Sequence, residues 1–277
     1  MQYNKERILS RLMEMIQIDS VSYKEGPMTD YLQKYFEDRG YEVYRDQAGK
    51  AVGGDHSGNL LIHIPGTMEG ESICLNAHQD TVEPGIGIVP VLEDGKLKSS
   101  GDTILAADDK SGIAIMLELL EVLKETGTPH RDMYYLFTIC EESGMYGAKK
   151  FDYSKIPTKN IFSLDGAGNL GFILKSGAGK DVLTITFHGK SAHGGIEPEK
   201  GINAINAAAL AISKVKFGRI DPETTSNIGR IEGGAATNIV TDKVTFTCEV
   251  RSHSQAQIEA QVQKIMDGSF PSWWWQL

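Results

Sequence analysis

The chain has 277 residues, with 28 Lys+Arg against 37 Asp+Glu for a formal charge of −9, and 40% of its residues are hydrophobic. With its 30 glycines that is the apolar content of an ordinary globular protein, which excludes a disordered chain. Net acidity makes nucleic acid or an anionic membrane a poor partner, and the length suits two domains better than one.

The opening stretch MQYNKERILSRL carries charges but no apolar core behind them, so it does not read as a signal peptide. Residues 7–17 place Ile8, Leu9, Leu12, Met13 and Ile16 at helical spacing; residues 29–39 do the same with Leu32, Tyr35 and Phe36, and Gly40 supplies a stop. Strand-like runs follow at 60–64, 73–76, 134–139 and 161–164. Between the middle two, residues 112–124 form a helix with Ile113, Met116, Leu117, Leu120 and Leu123 on its apolar side. Glu118 and Glu121 break the apolar stretch 113–123, which falls far short of a membrane span. Short apolar strands separated by helices imply an α/β domain, with a mostly parallel sheet flanked by helices.

After Gly177-Ala178-Gly179 the pattern changes. Residues 182–187 alternate, 202–215 read as an alanine-rich helix, 227–231 and 244–250 as strands, and 255–266 as a second helix. That β-α-β-β-α order predicts a small α+β domain with an antiparallel sheet. The expected boundaries are 1–177, 178–270 and an atypical tail at 271–277, PSWWWQL, which holds all three tryptophans, Trp273, Trp274 and Trp275. Cys74, Cys140 and Cys248 are widely spaced, with no CxxC pair, and read as reduced, buried thiols of a cytoplasmic protein.

Four segments carry candidate chemistry. In Cys74-Leu-Asn-Ala-His78-Gln-Asp80 an apolar strand runs into a His-x-Asp at its C-terminal end, where open α/β sheets place their ligands. Strand alternation puts His78 and Asp80 on one face, where a carboxylate can hold the ring of a metal-bound histidine; a polar turn is the plainer alternative. Asp108-Asp109 precede the 112–124 helix, and capping explains one of them, leaving the other free for different work. Glu141-Glu142 follow the 134–139 strand, so one could bind metal while its neighbour faces water; Asp165 follows the next strand. Carboxylates crowded at one sheet edge repel unless cations sit among them, and a histidine with carboxylates suits Zn²⁺, or Co²⁺ and Mn²⁺ less often. The segment from Gly166 to Gly171 fits GxGxxG, but strand-like residues follow it where a dinucleotide site needs a helix.

Together these segments resemble the dinuclear zinc peptidases that include peptidase T, carboxypeptidase G and aminoacylase. The similarity rests on AHQDTV, GDTILAADDKSG, CEESGMYGA and SLDGAG, and on GKSAHGGIEPEKGINAINAAA, GGAATNIVTDKV and EVRSHS in the second half. It spans residues 5–267 and is nearest the peptidase T-like branch. It implies a catalytic domain with an inserted lid and dimerisation domain, two Zn²⁺ per subunit, a small peptide substrate, and a homodimer formed through the lid. It further implies that His78 and Asp165 bind the first metal, that Asp108 bridges, that Glu142 binds the second, that Asp80 orients His78, and that Glu141 is the general base. His193 would hold the scissile carbonyl oxygen, with Asn238 and Arg251 on the substrate backbone or carboxylate. The resemblance lacks the family's return segment and its final histidine ligand, so the expectation is tripeptide aminopeptidase activity, with an N-acyl amino acid deacylase or carboxypeptidase, or an impaired remnant, as alternatives.

Overall fold

The computed structural model describes residues 2–166, 168–169 and 171–269; the tryptophan tail lies outside them. The chain divides into two compact units, Met1–Leu170 and Gly171–Leu277.

In the first unit, α1 (Lys5–Ile16) starts where the Asn4 side chain accepts the Arg7 N–H. Helix α2 (Gly26–Glu37) has proline in its first turn and buries Met28, Leu32, Tyr35 and Phe36, a spacing that lines one helical face. Then come β1 (Val43–Arg45), the single turn α3 (Ala48–Ala51), β2 (Leu60–Ile64) and β3 (Ile73–His78). A hairpin of β4 (Pro90–Glu93) and β5 (Lys96–Ser99) turns on Asp94 and Gly95, with φ of 51° and 74°. Positive φ at both central residues is the combination that matches the twist of the flanking strands. Next are α4 (Ala107–Thr126), β6 (Met133–Thr138), the short α5 (Tyr146–Lys150) and β7 (Ile161–Ser163).

The five-stranded sheet has the order β1-β2-β6-β3-β7. Strands β6, β3 and β7 run parallel, whereas β1 and β2 are antiparallel to their neighbours, so the sheet is mixed. Alternation decides what each strand buries. Leu60, Ile62 and Ile64 of β2 and Tyr135 and Phe137 of β6 face a core completed by α1, α2 and α4. Leu61 and Leu136 face the opposite side, against Cys74, Phe151 and Ile156.

Glu118, inside the apolar run of α4, is 3% exposed and is matched by Arg7 of α1, whose Nε and Nη2 reach its two oxygens at 2.6 and 2.9 Å. Breaking a buried pair by removing one partner strands the other charge. Arg7→Ala is expected to destabilise the unit by about 3 kcal/mol, read by urea unfolding at neutral pH. The Arg7 hydrogen bond holds the Glu118 carboxyl below its ordinary 4.5. A carboxyl lowered by folding contributes fully above its unfolded value and is lost as pH falls through its lower folded value. The difference between parent and variant therefore shrinks below about pH 4.5; an unchanged gap at pH 3 would contradict the pairing.

The second unit contains β8 (Gly179–His188), α6 (Ala204–Ser213), the two-residue β9 (Gly218–Arg219), β10 (Thr224–Gly233), β11 (Lys243–Ser252) and α7 (Gln255–Ser269). Its sheet, β8-β11-β10-β9, is antiparallel throughout. Val244, Phe246, Cys248 and Val250 alternate along β11 towards Ala204, Ala207, Ala208 and Ala211 of α6 and Ile258 and Ile265 of α7. The four alanines leave room for close helix-on-sheet packing. Asn203 caps α6 by accepting the Ile205 and Asn206 N–H groups. All three cysteines are free and buried, and among the described residues no helix is long and apolar enough to cross a membrane.

Candidate active site

Because β3, β6 and β7 are adjacent and parallel, their C-terminal ends open on one edge of the sheet. His78 is the last residue of β3, and it pairs in register with Thr138, the last residue of β6. Glu141 and Glu142 follow β6 within four residues, and Asp165 follows β7. Asp108 arrives by a different route. Ala106 has φ 58°, and Asp108 and Asp109 have non-helical angles at the head of α4, with a cis peptide between them. Asp109 then caps the helix proper by accepting the Gly112 N–H at 3.1 Å. Asp108 is left to face His78, with Oδ1 at 3.0 Å from Nε2. The two aspartates thus divide between capping and the site.

Ligand-type atoms of His78, Asp108 and Glu142 lie within 4.8 Å of one another, and so do those of His78, Glu141 and Asp165. His78 belongs to both groups, and its Nε2 is 3.8 Å from Asp165 Oδ2. The ring is 2% exposed, with Nδ1 at 2.9 Å from the backbone carbonyl of Asp80 and 3.4 Å from its carboxylate. Donation from Nδ1 to the carbonyl turns the Nε2 edge of the ring towards the carboxylates. Asp80 therefore holds the ring chiefly through its backbone. Its fully buried carboxylate reaches across to the loop after β6, accepting the Glu141 N–H at 2.8 Å, the Glu142 N–H at 3.1 Å and the Ser22 hydroxyl at 2.7 Å.

The electrostatics are those of crowded acids. Burial pushes the Glu141, Glu142 and Asp165 carboxyls up, and the negative charges beside them push the same way. Burial likewise carries Asp109 up to about 7. Burial opposes a charged His78 ring, but hydrogen bonding and charge from Asp80, with help from Asp109 and Asp108, outweigh it and take the ring up to about 10. Buried Asp80 stays below its ordinary value because His78, the Glu141 N–H and Ser22 stabilise its charge. One imidazole nitrogen among four carboxylates, three of them pushed up by burial and by their neighbours, is a donor set that a divalent cation fits, because it relieves both the burial cost and the mutual repulsion.

His193, Asn238 and Arg251 stand in the second unit. His193 forms an antiparallel bridge with Ile239, and its Nδ1 accepts the Gly195 N–H at 3.2 Å. The carbonyl of Asn238 accepts the Gly194 N–H at 2.8 Å, so these two residues are neighbours. Arg251, exposed on β11, is forked onto Glu249 at 2.8 and 3.1 Å. Two contributors to the first unit's site escape sequence reasoning: Ser22, which holds Asp80, and Glu25, which holds Cys140. Ser22 follows Val21, whose single bridge to Thr81 is too short to leave a periodic signal.

Two family models match the chain: peptidase family M28 over residues 59–194 and the peptidase dimerisation domain over residues 179–271. Protein YqjE of Bacillus subtilis is 44% identical over 262 residues, which cover 95% of this chain and 70% of that one. The aminopeptidase PepT of Bacillus cereus superposes with a TM-score of 0.92 at 43% identity, covering 96% of this chain and 72% of its own. A tripeptidase of Staphylococcus aureus does so with a TM-score of 0.92 at 36% identity, covering 96% of this chain and 71% of its own. Peptidase T of Citrobacter koseri is 29% identical over 216 residues, and there the chain spans about half of its relative, 52%. At this identity and coverage, and with this fold in common, the chain belongs to the dinuclear metallopeptidase family that includes peptidase T.

Proposed function

We propose that the protein is a metal-dependent aminopeptidase that removes the N-terminal residue from tripeptides. The observation that carries this reading is the convergence of His78, Glu141, Glu142 and Asp165 at the ends of three parallel strands with Asp108 at the head of α4. His78 and Asp165 would hold one divalent ion, Glu142 a second, and Asp108 both, with Zn²⁺ the best fit to nitrogen and carboxylate donors. Bound there, the ions supply Lewis-acid polarisation of the scissile carbonyl and make water more acidic.

The remaining work falls to the side chains. Glu141 takes the proton of the attacking water on its carboxylate and delivers it to the nitrogen of the leaving amine. Its raised proton affinity, from burial and from neighbouring acids, brings it nearer the range a general base needs. Asp80 fixes the loop that carries Glu141 and Glu142 through their N–H groups, and its carbonyl fixes the His78 ring. In the second unit, His193 would steady the oxygen of the tetrahedral intermediate, and Asn238 and Arg251 the substrate backbone or carboxylate. That unit, matched to the peptidase dimerisation domain, supports a homodimer, which sedimentation of the purified chain tests. Buried, unpaired cysteines suit the cytoplasm.

Hydrolysis of a free tripeptide beside an N-acetyl amino acid tests the substrate. The expected result is release of the N-terminal residue from the tripeptide, abolished by chelation and restored by Zn²⁺. Faster cleavage of the N-acetyl amino acid would replace this reading with a deacylase on the same residues.

A further inference from the structure

Glu25 stands immediately before α2 in the N-cap position, yet its side chain makes no capping bond there. It is fully buried and turns instead towards the loop after β6. Its Oε1 accepts the Cys140 N–H at 2.9 Å and the Cys140 thiol at 3.2 Å; its Oε2 accepts the Ser57 hydroxyl at 3.2 Å. Cys140 has φ 49°, in the left-handed region that a cysteine seldom adopts. Asp80 takes the next two amides, those of Glu141 and Glu142. Three consecutive N–H groups, at 140, 141 and 142, are thus held by two buried carboxyl groups. Successive amides converging on acceptors in this way form a concave nest, and its geometry depends on the backbone turn at its head. Burial pushes the Glu25 carboxyl up, which the Cys140 hydrogen bonds oppose.

The geometry points to Glu25 as a positioning residue for Glu141 and Glu142, acting through the Cys140 amide. It rests on the roles given above to those two acids. Asp80 alone fixes the second and third amides of the turn, and it can do so only while the first residue keeps its left-handed conformation. Glu25, bonded to both the amide and the thiol of that residue, holds it there. It thereby sets the direction in which the two acids leave β6. A carboxyl serving only to fill the core would make the same packing contacts but would not require an acceptor at this position.

Hydrogen exchange on the metal-free full chain, followed by mass spectrometry over residues 138–146, reads the turn directly. Glu25→Ala is expected to speed exchange at the 140–142 amides by at least about 10-fold, and Glu25→Gln, whose amide oxygen still accepts the Cys140 N–H, to leave it near the parent rate. Co²⁺ affinity is expected to fall by about 10- to 100-fold in Glu25→Ala and to recover in Glu25→Gln. If Glu25→Ala does not fold, Glu25→Asp, which keeps the charge but shortens the reach, is expected to loosen the same amides. Parent-like exchange in the variant that folds, or a Gln variant as loose as the Ala or Asp one, would overturn the inference. A parent protein that binds no Co²⁺ would sink the metal reading while leaving the exchange measurement to decide Glu25.

Discussion

Glu141→Gln lowers turnover of a tripeptide by about 10²- to 10⁴-fold and leaves divalent-metal binding at the parent level, the expected signature of a lost general base. The substitution keeps the volume and one carbonyl-type oxygen of the side chain, and it keeps the backbone N–H that Asp80 accepts. What it removes is the capacity to take a proton. The two measurements together separate roles that distance alone does not, because an oxygen of Glu141 also lies within 4.8 Å of ligand-type atoms of His78 and Asp165. If metal affinity falls in step with turnover, Glu141 is a ligand and the base must be sought elsewhere. If turnover holds, the base assignment is wrong.

The second large effect concerns His78. It is the one nitrogen donor in either group and is common to both, so His78→Ala weakens both at once. Metal affinity is expected to drop by at least about 100-fold, since even partners one shell further out are worth 10- to 100-fold. The loss also reads out as stability. An ion that binds only the folded chain at 100 times its dissociation constant stabilises it by about 2.7 kcal/mol. Zn²⁺ should therefore raise the melting temperature of the parent and leave that of His78→Ala unmoved. A variant stabilised as much as the parent would place the ion elsewhere.

The candidate donors of this site are legible in the sequence because each follows an apolar strand or opens a helix, and strand ends are where ligand residues can converge. His78, Glu141, Glu142 and Asp165 needed only the strands to be adjacent and parallel, which β3, β6 and β7 are. Periodicity does not encode direction, and so β2, whose residues are as apolar as those of a parallel strand, joins both its neighbours antiparallel without warning. The β4–β5 hairpin carried its own signal, Asp94-Gly95 between short strands, although those strands, being only half-buried, lack an apolar run. Which of Asp108 and Asp109 caps the helix was open, because the answer lies in backbone angles that adjacent identical residues cannot announce. Glu25 was invisible for a stronger reason: its partner is 115 residues away, and a lone acid at a helix start looks like any other.

Equilibrium titration with Co²⁺, followed by its visible absorption, asks whether one sheet edge of this chain is a divalent-metal centre organised around His78. The expected result is saturable binding of two ions in the parent, with the spectrum of a nitrogen- and oxygen-ligated site, and its collapse in His78→Ala. A parent protein without saturable binding, or a His78→Ala variant that titrates as the parent does, would contradict it.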